Sequence, residues 1–141
     1  LSTFQKAAEN FCTHQIRENF TKEDNITKKR TIIAYIDIQR DDSKEYRVYI
    51  ASDLDFVQKV SMLFLEEDES DEETLIDMAL EMANMIIGSA KVLAQKESKD
   101  GYNISTPHFE KIGKFNTDVD ETKTIKLDDG KLTVAIKELD V

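Results

Sequence analysis

Residues 70–95 constrain the fold of this chain more than any other segment. They contain no Pro and are rich in Ala, Leu, Met and Glu, so they predict one helix of about seven turns. Ser70 and Glu73 match a capping box, in which each side chain binds the backbone N–H of the other residue. The acidic residues 71–73 place negative charge at the positive end of the helix dipole. We therefore expect the helix to begin at Ser70.

The surface of this predicted helix is almost entirely apolar when its residues are placed about 100° apart around the axis. Its polar positions fall within a single band about 80° wide. We call these positions the polar stripe: Asp77, Glu81, Asn84, Gly88, Lys91 and Gln95. A helix with this pattern is buried on most of its circumference and exposes the stripe. Because every surface helix has some polar face, periodicity alone also fits a stripe without function.

Three residues of the polar stripe could contribute to chemistry or binding. Glu81 and Asn84 are three positions apart, so their Cβ atoms lie about 5–6 Å apart and both side chains can engage one target. Gly88 destabilises a helix interior by about 1 kcal/mol relative to Ala, but its flat surface lets another molecule approach closely. The carboxamide of Asn84 is a poor proton acceptor and suits holding a water molecule in line with an electrophile. That help is enough only for a reactive substrate such as an aspartyl phosphate, although the spacing does not select this substrate.

The composition of the whole chain indicates one ordered domain spanning residues 1–141. The sequence has 40 % hydrophobic residues, four Gly and one Pro. Its net charge of −10 argues against nucleic acid or a membrane surface as the main partner and favours a partner with a basic patch. No apolar run reaches the roughly 18 residues of a membrane span and no signal peptide is visible, so we expect a cytoplasmic protein.

Outside the polar stripe the chain has no glycine-rich phosphate loop, no nucleophile elbow and no paired-His zinc motif. Cys12 is the only cysteine, so it forms no internal disulfide and no thiolate zinc cluster. His14 would lie about 200° from Cys12 around a helix, so we expect a packed or half-exposed thiol without a catalytic base. We interpret His14 and His108 as structural residues. Residues 66–73 carry seven carboxylates but lack the ligand spacing of a calcium loop, so they predict a solvated loop.

Hydrophobic periodicity predicts the other elements of the chain. A first amphipathic helix is expected at residues 2–20, with its apolar side formed by Phe4, Ala7, Ala8, Phe11, Ile16 and Phe20. A second helix, capped by Ser52 or Asp53 and ending near Leu65, is expected to bury Leu54, Phe56, Val57, Val60, Leu63 and Phe64.

The remaining segments predict strands and turns. Strands or extended segments are expected at 31–38, 45–51, 102–111, 122–127 and 131–139, with a loop at 21–29 and turns at 41–43, 100–101 and 128–130. Pro107 confines its segment to a sheet edge or a strand end. This order predicts a single α+β domain in which helices pack on one face of a mostly antiparallel sheet.

The segment DMALEMANMIIGSA, followed after a polar break by NISTP, resembles the catalytic helix and the following strand of the CheX branch of the CheC/CheX/FliY family of chemotaxis phosphatases. The family pattern is an acidic or small polar residue, then Glu four positions on, then Asn three positions beyond. Asp77, Glu81 and Asn84 match it, and one copy of the helix resembles CheX rather than CheC. The single Pro107 and the acidic loop before the helix depart from the family.

This resemblance implies dephosphorylation of the response regulator CheY. Glu81 would engage the active-site Lys of the receiver, and Asn84 would enter its phosphorylation pocket and orient the attacking water. Mg²⁺ would be held by the receiver and no metal or other cofactor by this chain. Asp77, Gly88 and Lys91 would contribute to partner binding. Some relatives dimerise through their sheets, and the strand edges of this chain would permit a homodimer of the same kind. Two alternatives stay open, a non-catalytic module that binds a receiver or a flagellar-switch component, and a sensory domain for an unrelated ligand.

Overall fold

A computed structural model of the chain describes residues 2–17, 19–23, 29–40, 44–67, 69–98, 102–127 and 130–139. Its helical elements are α1 Ser2–Asn10, a π-helical segment Phe11–Ile16, α2 Leu54–Leu65 and α3 Glu72–Ser98. Its strands are β1 Thr21–Glu23, β2 Thr31–Arg40, β3 Glu45–Asp53, β4 Tyr102–Ile104, β5 His108–Gly113, β6 Glu121–Leu127 and β7 Gly130–Leu139.

These strands form one antiparallel sheet in the order β1-β6-β7-β3-β2-β4, with β5 also paired to β2. The predicted β2–β3 hairpin is confirmed, with Thr31 opposite Asp53 and Gln39 opposite Glu45. The β6–β7 hairpin is confirmed too, with Leu127 opposite Gly130. The predicted turns at 41–43 and 100–101, and positions 128–129, lie outside the described residues.

One large core joins the helices to the sheet, which confirms the predicted α+β arrangement. It contains buried side chains from α1, the π-helical segment, α2, α3 and the central strands. α3 contacts α1, α2 and β2. A smaller cluster of Ile33, Tyr49, Ala51, Phe115 and Ala135 involves other side chains of the central strands and the segment that follows β5. The long helix is therefore held against the sheet and its neighbouring helices.

The predicted helix at residues 2–20 is wrong in its second half. The α-helix ends at Asn10 and continues as a π-helix from Phe11 to Ile16. The N–H of Arg17 donates to the carbonyl of Cys12, five residues earlier, at 2.8 Å. Phe11 and Ile16 are also five residues apart and both are buried, a spacing that i→i+5 hydrogen bonding brings to one side of the helix. The chain then forms β1, where the sequence predicted only a loop.

The predicted capping box at the start of α3 is also wrong. α3 begins at Glu72, and the carboxylate of Asp71 accepts the backbone N–H of Thr74 at 2.8 Å. The side-chain hydrogen bond with Thr74, followed by this backbone hydrogen bond, lowers the pKa of Asp71. Ser70 instead binds α2, because its N–H donates to the side chain of Gln58 at 2.9 Å. Its hydroxyl donates to the carboxylate of Glu67 at 3.0 Å, so Ser70 links the acidic loop to α2.

Two details of the predicted second helix need correction. Asp53 occupies the N-cap position but makes no side-chain cap hydrogen bond. Its carboxylate accepts the backbone N–H of Lys131 at 3.0 Å, which ties the end of β3 to the start of β7. Leu63, expected in the core, is 45 % exposed, whereas Phe56 and Val60 are fully buried. α2 therefore buries a narrower face than its apolar pattern predicts.

Candidate functional site

The polar stripe lies on the exposed side of α3, as its periodicity predicts. Asp77, Glu81, Asn84 and Gln95 are exposed, and Gly88 and Lys91 are half-buried. The rest of the central circumference is buried, including Met78, Ala79, Met82, Ala83, Ile86, Ile87 and Ala90. The structure thus brings the two predicted catalytic side chains and the three predicted partner-binding residues to one surface.

The helix that carries the stripe is a rigid support for side chains that must be placed accurately. Met82 and Ala83 lie between Glu81 and Asn84 in the sequence, and both are completely buried. A displacement of this turn of α3 would therefore disturb close packing in the core. Glu81 and Asn84 project from an element whose position the core fixes, which favours a preorganised site.

Gly88 leaves an open surface one helical turn beyond Asn84. A Cβ added at Gly88 meets no atom within 4 Å, so the glycine is not required by packing inside the protein. Residues four apart share a row on the surface of a helix. A molecule that contacts Asn84 can therefore lie directly against the backbone at Gly88.

A cavity of about 380 Å³ borders the stripe and was not predicted from the sequence. It is lined by Ala7, Asn10, Phe11, His14, Gln15, Met85 and Ser89. His14, interpreted as structural from the sequence, is exposed at this cavity. The signal that could have indicated the cavity is the change from α-helical spacing to the five-residue spacing of Phe11 and Ile16.

Cys12 lies between the cavity-lining residues Phe11 and His14 in the sequence, but its thiol is not a reactive group. Cys12 is 1 % exposed, and burial raises its pKa to about 12. The carboxylate of Glu9 contributes to the same shift. A thiol held neutral in the core does not act as a nucleophile near neutral pH, so the predicted packed role of Cys12 is confirmed.

The chemistry available on the polar stripe is that of a carboxylate, a carboxamide and an ammonium group. Within the described parts of the chain, no group of three or more His, Cys, Asp or Glu side chains is arranged to hold a metal ion. The same residues include no helix that is both long and apolar enough to cross a membrane. Such a surface can pair with a cation, hold a water molecule and dock a second protein.

The solved structures with this fold define its class. The chain is similar to the chemotaxis protein CheX from Vibrio vulnificus, with TM-score 0.82, 18 % identity and coverage of 99 % of this chain and 95 % of that chain. It is also similar to a CheX-CheY-BeF3-Mg²⁺ complex from Borrelia burgdorferi, with TM-score 0.68, 18 % identity and 97 % of both chains covered. Thermotoga maritima FliY matches with TM-score 0.59, 16 % identity and coverage of 96 % and 84 %. The fold is therefore that of the CheC/CheX/FliY class.

A family comparison is more specific than the fold. The family model described as "Chemotaxis phosphatase CheX" matches residues 32–126, a region that contains the whole polar stripe. This chain belongs to the CheX family of chemotaxis phosphatases. A sequence search of the curated proteins found no match.

Proposed function

We propose that this protein hydrolyses the aspartyl phosphate of a CheY-type response regulator, and that Glu81 and Asn84 are its catalytic residues. The observation that carries the proposal is that these two side chains are exposed three positions apart on a helix that is buried on its other sides. Membership of the CheX family and the likeness to the Borrelia complex of CheX with CheY support the choice of substrate. Such a receiver is a cytoplasmic protein, which is where we place this chain.

In the proposed mechanism the receiver supplies most of the active site and this chain completes it. Asn84 enters the phosphorylation pocket and holds a water molecule in line with the phosphorus. The water oxygen forms a bond to phosphorus while the bond from phosphorus to the aspartyl oxygen breaks. The carboxylate leaves as an anion, and the protons of the water pass to phosphate and solvent. Mg²⁺ belongs to the receiver in this scheme, where it neutralises the phosphoryl oxygens.

Glu81 has a positioning role at the same time. Its exposed carboxylate can form a charge-assisted hydrogen bond with the active-site Lys of the receiver. That pairing would orient the receiver so that Asn84 reaches the phosphoryl group. Asp77, one turn before Glu81, and Lys91, near the open surface at Gly88, extend the contact along the stripe.

The proposal is tested by following phosphate release from a phosphorylated receiver. Asn84→Ala should lose about 3 kcal/mol of transition-state stabilisation, or about two orders of magnitude in kcat, because one positioned polar group is removed. Asn116→Ala is the matched control, since Asn116 is also exposed but lies between β5 and β6. An Asn84→Ala variant as fast as the parent would end the catalytic assignment.

A non-catalytic binding module is the second candidate, because an exposed polar stripe on a helix can also dock a receiver or a flagellar-switch component without hydrolysing it. The same assay separates the two readings. If the parent protein binds receivers of its organism but hydrolyses none of them, the binding module is favoured. Turnover that depends on Asn84 would favour the phosphatase.

A further inference from the structure

The cavity beside the polar stripe is formed by elements that are distant in sequence. Asn10 ends α1, His14 and Gln15 belong to the π-helical segment, and Met85 and Ser89 belong to α3. The π-helical segment is fixed by its own packing, because the ring of Phe11 meets the ring of Phe64 on α2 edge to face at 6.2 Å. The wall opposite α3 is therefore anchored to α2.

The cavity adjoins the row of α3 that contains Glu81. Met85 and Ser89 follow Glu81 at intervals of four residues, so the three residues lie in one row along the helix surface. Asn84 and Gly88 form the neighbouring row. That row continues to Val92, which is 49 % exposed. A protein that covers Glu81, Asn84 and Gly88 would therefore also cover the mouth of the cavity.

The lining indicates which side chain the cavity accepts. Ala7 and Phe11 are buried and Met85 is half-buried, which makes the inner part apolar. His14 and Gln15 are exposed, and Asn10 and Ser89 are half-buried, so hydrogen-bonding groups surround the opening. Among the residues that the structure describes, the lining contains no carboxylate, ammonium or guanidinium group. A large side chain with an apolar body and an uncharged polar end matches both parts.

We propose that this cavity is a second docking element for the receiver, and that it takes one large, uncharged side chain from the receiver surface next to the phosphorylation site. This inference rests on the proposed phosphatase function. Residues 7–15 of the cavity lie before residues 32–126, which match the family model. The α1 and π-helical wall is separate in the sequence from the Glu81–Asn84 pair on α3, and it sets which receiver binds.

The experiment measures kcat and KM of hydrolysis over a series of phosphorylated-receiver concentrations. Gln15→Ala removes a hydrogen-bonding group from the rim, and Ser89→Leu fills the cavity with a side chain that a helix tolerates well. Gln39→Ala is the matched control, because Gln39 is exposed on β2 and is not part of the lining. We expect Ser89→Leu to raise KM about tenfold, and Gln15→Ala to raise it about fivefold, with kcat unchanged.

Binding of a receiver loaded with beryllofluoride, a phosphoryl mimic, separates this inference from the proposed function. If the parent binds the beryllofluoride-loaded receiver but does not hydrolyse the phosphorylated receiver, the phosphatase proposal fails. Weaker binding by Gln15→Ala and Ser89→Leu would still support the docking role in that case. Unchanged KM and Kd in both variants, with melting temperatures like that of the parent, overturn the docking role and leave the phosphatase intact. A parent that binds no receiver overturns both. A fall in kcat with constant KM also contradicts a docking role.

Discussion

Replacing Gly88 with Ala is expected to stabilise the protein and weaken its activity at the same time. Gly88 lies inside α3, where Gly is less favourable than Ala by about 0.8–1.0 kcal/mol. A Cβ at this position meets no atom within 4 Å, so no clash within the protein offsets the gain. Over 141 residues, an unfolding entropy of about 2.1 cal/mol/K per residue makes 1 kcal/mol equal to about 3 °C in Tm. Gly88→Ala should raise Tm by nearly that amount.

The same methyl group should interfere with the receiver. Gly88 lies one turn beyond Asn84 in the same row, so a receiver pocket that encloses Asn84 brings the receiver surface against Gly88. Overpacking a close interface costs about 1–3 kcal/mol, and the lower part of this range corresponds to about a tenfold loss of kcat/KM. The loss should fall mainly on KM, because Gly88 does not touch the reacting phosphoryl group.

Gly113→Ala is the control for this experiment. A Cβ at Gly113 also meets no atom within 4 Å, but Gly113 ends β5 and is not part of the stripe. Both variants would be melted by circular dichroism and assayed at several receiver concentrations. We expect Gly113→Ala to keep the kcat/KM of the parent. A Gly88→Ala variant that is stabilised but fully active would show that the receiver does not approach this part of α3, and the docking geometry would be refuted.

The remaining predictions concern stability and the burial of Cys12. Gly130→Ala should destabilise the protein by about 1–3 kcal/mol, because the new Cβ would lie 2.9 Å from the backbone N of Phe56 and the backbone cannot easily move away. A Tm equal to that of the parent in thermal unfolding would contradict this contact. Cys12 should resist alkylation in the folded protein at pH 8, and rapid native labelling by iodoacetamide would show that it is not buried. The pKa of Cys12 rises from 9.0 to about 12 on folding, so the contribution of this thiol to stability is complete below pH 9 and is lost as the pH rises towards 12. Cys12→Ala should therefore show a smaller fall in the free energy of unfolding at alkaline pH than the parent, as measured by urea unfolding.

The elements that could be predicted are those whose pattern is local and repeated. α3 was predictable because its apolar and polar positions keep one helical period over many turns. The β2–β3 and β6–β7 hairpins were predictable because alternating segments flank turn residues. The exposure of Glu81 and Asn84 followed from the same period, since both residues lie on one element and their relative position needs no tertiary information.

The features that were missed depend on contacts between distant segments. Ser70 and Asp71 are adjacent and both are good N-cap residues, but Gln58 on α2 binds Ser70 and leaves Asp71 to cap α3. The three-residue strand β1 is too short to show a period, and its pairing with β6 defines it. The exposure of Leu63 depends on how much of α2 the sheet and α3 cover.

The polar stripe and the cavity would contribute differently to the substrate specificity of such a phosphatase. A carboxamide that positions water and a carboxylate that pairs with a Lys act on groups that CheY-type receivers share in the proposed mechanism, so Glu81 and Asn84 cannot by themselves distinguish one receiver from another. Discrimination then requires contacts outside the reacting groups, where a mismatch leaves a polar group unpaired or an apolar surface uncovered. In the proposed docking, the cavity between α3 and the π-helical segment would provide such contacts beside Glu81. Its two walls come from separate parts of the chain, so a proposed specificity site of this kind has no sequence motif and is recognised only in the folded protein.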